Sequence, residues 1–383
     1  MSTIERFTID IPQADIEDLH RRLDATRWPD RETVDDWSQG VPLARIKALC
    51  DYWRTGYDWR RCEARLNEIG NYRTEIDGLP IHFLHVRSPS PDALPLLITH
   101  GWPGSVIEFL KVIGPLTDPA RHGADALDSF HLVIPSLPGY GFSARPTRTG
   151  WGIPRIAEAW VELMKRLGYQ DRWVAQGGDW GATIATQLGI VAPKGLEAIH
   201  LNLLFAAPDV ENRANWTEEE KAAAKHAKKF NESGVGYSRL QQTRPQTLGY
   251  GLADSPAGQA AWIYEKFYEW TDCQGAPENV LSQDEMLDNI SLYWLTDTGA
   301  SSARLYWESL SYFRGGFSVD VPTGASIFPR EIIKTPRRWA ERNYRNIIYW
   351  NELDRGGHFA AFEQPALYIE EVRACFRPYR SRA

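Results

Sequence analysis

The segment that most constrains this chain runs from Val174 to Thr183, VAQGGDWGAT, where a single aspartate stands between pairs of small residues. An apolar run leads into the segment, and an alanine-rich run of helical character follows it. A small-x-acid-x-small pattern at a strand-to-helix junction is typical of a nucleophile elbow, the strained turn that lifts one side chain above a sheet. Gly177 and Gly181 favour this interpretation, because they let strand and helix approach closely. The pattern makes Asp179 a candidate nucleophile.

A second interpretation is that Asp179 caps a helix that begins at Trp180, because aspartate is a preferred N-cap residue. The backbone N–H of Trp180 would point to the same space as the aspartate and can hold a developing oxyanion. The pattern alone does not choose between a helix cap and a nucleophile, so the choice depends on the rest of the chain.

The composition is that of a globular protein with a surplus of aromatic residues. Of 383 residues, 43% are hydrophobic and 24% are charged, and there are 16 Trp, 16 Tyr and 14 Phe. Most of these rings are expected in the core, and the surplus also suits an apolar, aromatic-lined cavity. The net charge of −7 argues against binding to nucleic acid or to an anionic membrane. A neutral substrate is therefore favoured.

Cysteine usage and hydropathy predict a cytoplasmic protein. The four cysteines, Cys50, Cys62, Cys273 and Cys375, lie far apart with no CxxC spacing, which argues against a zinc site and a disulfide framework. No basic-then-apolar leader is recognised, and no apolar run reaches about 18 residues. We therefore expect a reducing compartment and no membrane anchor.

Hydrophobic periodicity separates a helical N-terminal segment from an α/β core. Residues 1–75 combine helical spacing with a first strand at Phe7–Ile11 but hold no catalytic pattern, so they are expected to wrap around the core. From Tyr72 the period changes to two, and an Asp-Gly pair after the first run predicts a hairpin turn. The apolar run Leu94–Thr99 is typical of a strand buried on both faces of a parallel sheet.

This buried strand leads into the loop His100–Ser105, HGWPGS. Ser105 and Glu108 form a capping-box pattern, which predicts that a helix starts at Ser105. The loop would thus lie at the C-terminal end of a strand, where open α/β sheets hold their active sites.

Strand and helix signals alternate up to residue 204 and predict a mostly parallel, doubly wound sheet. Residues 205–317 are helical and aromatic and are interpreted as an inserted lid. Strand signals return at Phe317–Val321 and at Asn346–Trp350. The core is therefore expected to comprise residues 76–204 and 318–383.

A late histidine supports the nucleophile interpretation of Asp179. His358 follows a glycine pair after the last predicted strand, and the chain order of nucleophile, acid and histidine is that of the α/β-hydrolases. No GxSxG motif occurs, which argues against a serine esterase. A carboxylate nucleophile can open an electrophilic carbon to form an ester, which water activated by His358 then hydrolyses. The backbone N–H groups of Trp102 and Trp180 are placed to form the oxyanion hole.

Five segments carry a resemblance to a known family: FTIDIP at 7–12, HGWPGS at 100–105, GGDWG at 177–181, PTG and FPRE within 322–331, and RGGHFAAFEQP at 355–365. Through these segments the chain resembles the microsomal-type epoxide hydrolases over nearly its full length. The resemblance implies an α/β-hydrolase fold with a helical lid insertion and an N-terminal wrapping segment. It also implies cofactor-free hydrolysis of an epoxide to a vicinal diol. The chain lacks the N-terminal anchor of the membrane-bound mammalian members and is expected to be a soluble one.

The resemblance places the acid that supports the histidine at Glu331, in an intact Phe-Pro-x-Glu pattern. From the residues alone, Asp354 and Glu352 are alternatives, since both lie nearer His358 in the chain. The role of the acid would be to hold the tautomer of His358 and to stabilise its imidazolium form.

The resemblance also implies two lid tyrosines that donate protons to the epoxide oxygen, and they match Tyr237 and Tyr306. An extra Val-Gly step precedes Tyr237, which leaves Tyr250 and Tyr264 as alternatives. His100 is expected to support the oxyanion loop without a chemical role. No His/Asp/Glu cluster has ligand spacing, so we expect neither a metal nor a cofactor.

The sequence therefore predicts an epoxide hydrolase that acts on a small apolar epoxide and water, with a role in xenobiotic detoxification. Two rival hypotheses are a haloalkane dehalogenase-like hydrolase, which would use the same aspartate with halide-binding N–H donors, and a non-catalytic receptor for an apolar ligand. Whether the N-terminal segment stays within one copy or reaches a second, as in a homodimer, is left open.

Overall fold

The computed structural model describes residues 3–309, 312 and 316–380, and within them nine strands form one sheet in the order β1-β2-β3-β5-β4-β6-β7-β8-β9. The pairs β1–β2, β2–β3 and β3–β5 are antiparallel, and the remaining pairs are parallel. The mostly parallel sheet agrees with the prediction. The strands are β1 Glu5–Phe7, β2 Asn71–Ile76, β3 Leu79–Val86, β4 Leu94–Thr99, β5 Phe130–Pro135, β6 Trp173–Gly177, β7 Leu196–Leu201, β8 Thr323–Ile327 and β9 Ile347–Glu352.

Helices flank the sheet and cover the C-terminal ends of its parallel strands. They are α1 Gln13–Asp24, α2 Leu43–Thr55, α3 Trp59–Ile69, α4 Ile113–Thr117, α5 Ile153–Arg166, α6 Asp179–Val191, α7 Glu218–Lys229, α8 Gly236–Thr243, α9 Pro245–Asp254, α10 Pro256–Trp270, α11 Gln283–Leu295, α12 Gly299–Glu308, α13 Arg337–Ala340, α14 Ala360–Glu363 and α15 Pro365–Phe376.

The predicted hairpin is confirmed as β2 and β3, joined by the two residues Asp77 and Gly78. Both turn residues have positive φ, 51° and 75°, as a type I′ turn requires. The twist of a type I′ turn matches that of the flanking strands, so this short turn fixes the register of β2 and β3.

The first strand lies earlier than predicted, because β1 is Glu5–Phe7 and shares only Phe7 with the predicted strand Phe7–Ile11. Pairing ends at Phe7, and the apolar alternation through Ile11 reflects burial under α3 instead of a sheet ladder. Asn67 of α3 binds both the N–H and the carbonyl of Ile9, at 2.8 Å each, and Glu63 accepts the N–H of Ile11 at 2.7 Å. Side chains thus satisfy backbone groups that a strand partner would otherwise bind.

The strand predicted at Phe317–Val321 is wrong, because the sheet strand is β8, Thr323–Ile327. Upstream of β8, Val319 makes an isolated bridge to Tyr344. The β8 sequence TGASI gives a weak strand signal because its residues are small. A Cβ at Gly324 would overlap the sulfur of Cys375. Close packing of α15 against the sheet therefore requires glycine at position 324, and this glycine also weakens the strand signal.

The N-terminal helices bind α11 of the same chain through buried polar contacts. The indole of Trp53 donates to Ser291 at 2.8 Å, and the Tyr57 hydroxyl donates to Asp288 at 2.8 Å. Arg61 pairs with the same carboxylate at 2.8 Å. Helix α11 in turn contacts the loop after β4, since Asn289 accepts from Ser105 at 2.7 Å. These contacts connect the N-terminal helices to the C-terminal edge of the sheet.

Candidate active site

The turn between β6 and α6 holds Asp179 in a conformation that side-chain-bearing residues rarely adopt, with φ of 49°. A Cβ at Gly177 would overlap the carbonyl of Gly181, and a Cβ at Gly181 would overlap the carbonyl of Thr99. Both glycines are therefore required for the close approach of α6 to β6 and β4. The strain at Asp179 is maintained by this packing, as expected at a functional residue.

The carboxylate of Asp179 is held from two sides. The backbone N–H of Trp102 donates to Oδ1 at 2.8 Å, and Nε2 of His358 lies 3.3 Å from Oδ2. Gly101 makes room for the carboxylate, because a Cβ there would overlap it. No side-chain cap bond is made at the start of α6, where the N-cap residue is Gly178. The Asp179 carboxylate is thus held in position by Trp102 and His358.

Glu331 is the acid that the fold brings to His358. Its Oε1 lies 2.7 Å from Nδ1 of the imidazole and accepts the N–H of Ile332 at 2.6 Å. A bridge between Arg330 and Gly357 aligns the two segments. Burial by itself lowers the pKa of His358, but the charges of Glu331 and Asp179 outweigh it and raise this pKa well above its ordinary value.

The alternative acids do not contact the histidine. The Asp354 side chain is 83% exposed and pairs with Arg355. Glu352 accepts a hydrogen bond from the indole of Trp350 at 3.1 Å. Asp354 and Glu352 are thus separated from the site despite their shorter distance in sequence.

Two tyrosines from the helical segment between β7 and β8 meet opposite the elbow. Tyr237 of α8 and Tyr306 of α12 have ring centroids 5.9 Å apart. The Tyr237 ring stacks on Trp102 at 5.1 Å, and Tyr306 packs edge-on against Trp180 at 4.8 Å. Burial, reinforced by the charge of Asp179, raises the pKa of each phenol well above its ordinary value. Both tyrosines are therefore neutral proton donors near neutral pH.

The other tyrosines considered lie elsewhere. Tyr250 is 71% exposed, and the Tyr264 hydroxyl donates to Glu278 at 2.5 Å. Of the four candidates, the structure brings Tyr237 and Tyr306 to Asp179.

Sequence reasoning missed two side chains beside the tyrosines. Trp270 packs edge-on against both Tyr237 and His358, with centroids 5.1 and 5.0 Å away. The Lys266 side chain is only 3% exposed, and its ammonium lies 4.7 Å from the Tyr237 ring centroid while it pairs with Glu269. The sequence signal for this site was the lysine within the aromatic run 261–270. A buried cation needs aromatic rings or a carboxylate as partners.

His100 holds the loop that carries Trp102. Its Nδ1 donates to the carbonyl of Gly101 at 2.9 Å, and its Nε2 accepts the N–H of Leu137 at 3.2 Å. Burial lowers the pKa of this imidazole to about 4, so His100 is neutral. These contacts agree with the structural role expected of it.

Neither a metal site nor a membrane span is present in the described ranges, 3–309, 312 and 316–380. Within those ranges no group of three or more His, Cys, Asp or Glu side chains is arranged to hold a metal ion. Among the helices of the same ranges, none combines the length and apolarity that crossing a membrane requires.

Known proteins resemble this chain over nearly its whole length. A family model described as "Epoxide hydrolase N terminus" matches residues 4–109, and one described as "alpha/beta hydrolase fold" matches residues 95–239. A putative epoxide hydrolase of Stigmatella aurantiaca is 62% identical over 99% of this chain and 86% of its own length. Epoxide hydrolase 1 of Sus scrofa is 36% identical over 97% of this chain and 88% of its own length.

Two solved structures share the whole architecture. The crystal structure of juvenile hormone epoxide hydrolase from the silkworm Bombyx mori superimposes with a TM-score of 0.90 at 29% identity, covering 99% of this chain and 95% of that one. The Aspergillus niger epoxide hydrolase superimposes with a TM-score of 0.88 at 32% identity, covering 98% of this chain and 96% of that one.

Proposed function

The chain belongs to the epoxide hydrolase family of the α/β-hydrolase fold, and from that premise we propose that Asp179 opens the epoxide and that His358 drives hydrolysis of the resulting ester. The observation that carries this proposal is the arrangement around one carboxylate. Trp102 N–H binds one oxygen of Asp179 at 2.8 Å, and His358 lies 3.3 Å from the other.

In the first step, a carboxylate oxygen of Asp179 attacks an epoxide carbon and the carbon–oxygen bond of the ring breaks. Negative charge then grows on the epoxide oxygen, which needs a proton. Tyr237 and Tyr306 are two neutral phenols on the opposite side of the site, and they supply the hydrogen bonds and the proton.

In the second step, water attacks the ester carbonyl and His358 takes its proton. Esterification removes the negative charge of Asp179, one of the two charges that raise the pKa of His358. The pKa of the imidazole then falls toward its ordinary value, so the ring is neutral more of the time and can accept a proton at the stage that needs a base. Glu331 stabilises the imidazolium that forms, and the N–H groups of Trp102 and Trp180 hold the oxyanion.

The substrate class follows from the rings around Asp179. Trp102, Trp180 and Trp270, together with the two tyrosines, present an apolar surface with few charges, so we propose a small apolar epoxide. Residues 205–317 are proposed as a lid over residues 76–204 and 318–383, and residues 1–75 as a wrapping segment. That segment binds α11 of its own copy, so the proposal needs no second copy.

We also propose a cytoplasmic location, where the four buried free thiols would stay reduced. The phenols favour an epoxide over a haloalkane, because halide departure needs no proton. The test is diol formation from styrene oxide, an aliphatic epoxide and a terpenoid epoxide, with Asp179→Asn as the matched control. Diol from at least one epoxide, lost in the control, supports the proposal. Halide release from haloalkanes without diol formation would contradict it.

A further inference from the structure

A second space borders the same carboxylate and histidine. A small cavity, with room for about one water molecule, is lined by Asp179 and His358, but neither Tyr237 nor Tyr306 contributes to its lining. Its remaining wall comes from the C-terminal ends of β4 and β6, the loop after β4 and the start of α14 and α15. The cavity therefore reaches Asp179 without passing the two phenols.

The cavity is polar, and most of its polar groups already bind one another. The amide of Gln176 donates to Asn202 at 2.5 Å and accepts from the Tyr368 hydroxyl at 2.6 Å. These contacts fix the orientation of the Gln176 amide. Glu108 adds to this lining a carboxyl group that the proposed two-step reaction does not use.

The position of Glu108 depends on Gly104, in the loop His100–Ser105. A Cβ at Gly104 would overlap its carboxyl oxygen, just as a Cβ at Gly101 would overlap the carboxylate of Asp179. The loop His100–Ser105 thus makes room for two carboxyl groups, one at each glycine. The backbone N–H of Ser105 binds the Glu108 carboxyl group and orients it.

The charge of Glu108 is coupled to both reacting residues. Burial raises the pKa of Glu108 to about 8; protonated His358 opposes this shift and the charge of Asp179 adds to it. Tyr293 and Tyr368 are the other titratable groups that face it. When Asp179 becomes an ester, its charge disappears, so Glu108 ionises more readily just as water must be held and an imidazolium must form.

We propose that Glu108 is a positioning residue that holds the hydrolytic water in this cavity against the ester of Asp179, an inference that rests on the ester route proposed above. The water oxygen bonds to the ester carbonyl carbon while its proton passes to Nε2 of His358. Collapse of the intermediate breaks the bond from that carbon to the diol oxygen, which takes the proton from His358. Glu108 accepts a hydrogen bond from the second O–H of the water and exchanges no proton with the water or with His358.

The experiment separates ester formation from ester hydrolysis, using styrene oxide, rapid quenching and intact mass. Glu108→Gln keeps the shape of the side chain and removes its charge. We expect ester formation within about threefold of the wild type and ester hydrolysis slower by at least about tenfold, so that the Asp179 adduct accumulates during turnover. Glu108→Asp keeps the carboxylate and should hydrolyse the ester at a rate between those of the wild type and Glu108→Gln.

A merely structural role for Glu108, as the partner of the Ser105 N–H, predicts a different result. Loss of a loop contact would slow both steps alike, and equal slowing in Glu108→Gln overturns the proposal, as does wild-type hydrolysis. If Glu108→Gln does not fold, Glu108→Asp decides by the same comparison. Glu371→Gln removes a buried carboxylate bonded to Ser326 and should not accumulate ester.

The His358→Gln variant distinguishes this proposal from the one on which it rests. An ester in His358→Gln together with wild-type hydrolysis in Glu108→Gln overturns the assignment of Glu108 alone. Absence of ester in both variants, with epoxide bound, overturns the ester route and the water site with it.

Discussion

His358 and Glu331 form a buried pair, with Nδ1 of the imidazole 2.7 Å from Oε1 of the carboxylate. The bond presents Nε2 to Asp179 and to the cavity beside it. The two residues lie in different loops, after β9 and β8, and the parallel pairing of these strands brings them together.

Replacing Glu331 with Gln should slow ester hydrolysis on the order of 10³-fold and leave ester formation much less affected. The amide cannot stabilise the imidazolium, and it can bind the wrong tautomer of His358. Rapid-quench kinetics with styrene oxide measures both steps. Asp354→Asn is the matched control, since that exposed side chain does not contact His358. An equal loss in both variants would contradict the assignment of Glu331.

Replacing either site phenol should slow ester formation. Tyr306→Phe and Tyr237→Phe are each expected to lose about 10²-fold in kcat/KM, and the double variant more, because the epoxide oxygen then lacks both donors. Tyr250→Phe, at an exposed position of the same helical segment, is the control. Unchanged turnover of epoxide by Tyr306→Phe would remove the phenols from the mechanism.

The elbow glycines allow a stability test with a matched pair. A Cβ at Gly177 would overlap the Gly181 carbonyl, whereas the nearest atom to a Cβ at Gly178 is 3.9 Å away. Gly177→Ala should therefore lower the free energy of unfolding by about 3 kcal/mol, and Gly178→Ala by less than about 1 kcal/mol. Urea unfolding of both variants measures the difference, and equal values would contradict the packing described for the elbow.

The sequence was most informative where one short pattern determines a local geometry. The Asp-Gly turn, the buried strand β4 and the elbow were predicted close to their observed bounds. Spacing alone could not select Glu331, because the bridge between Arg330 and Gly357 is a long-range contact. The resemblance to a family supplied that residue, and nearness in sequence favoured Asp354 and Glu352.

The second tyrosine illustrates the same limit. The Val-Gly step before Tyr237 made its alignment ambiguous. In the structure, the chain forms a π-helical turn at Phe230–Gly234 and restarts as α8 at Gly236. Such turns accommodate extra residues within helical sequence. The ambiguity therefore had a local structural cause that periodicity could not reveal.

Buried neutral histidines make the free energy of unfolding depend on pH. Burial lowers the pKa of His200 from 6.5 to about 3, so the unfolded chain takes up a proton that the folded chain does not. The stability that neutral His200 contributes is complete above pH 6.5 and is lost as pH falls toward 3. The wild type should lose up to about 1.4 kcal/mol per pH unit more than His200→Gln in that window.

Chemical unfolding between pH 7 and 4.5 tests this prediction. Gln keeps a donor for Ser326, which His200 contacts at 2.8 Å. His122→Gln, at an exposed site, should follow the wild type. Parallel stability curves for the wild type and His200→Gln would contradict the assignment of a neutral, buried imidazole.

The proposed covalent route requires that Asp179 forms an ester and that His358 is needed to hydrolyse it. The most direct measurement is the intact mass of His358→Gln after mixing with styrene oxide, followed by peptide mapping. We expect one adduct of the mass of the epoxide on the peptide that contains Asp179, and none in Asp179→Asn. No adduct in His358→Gln, with binding of the epoxide confirmed, would contradict the covalent route.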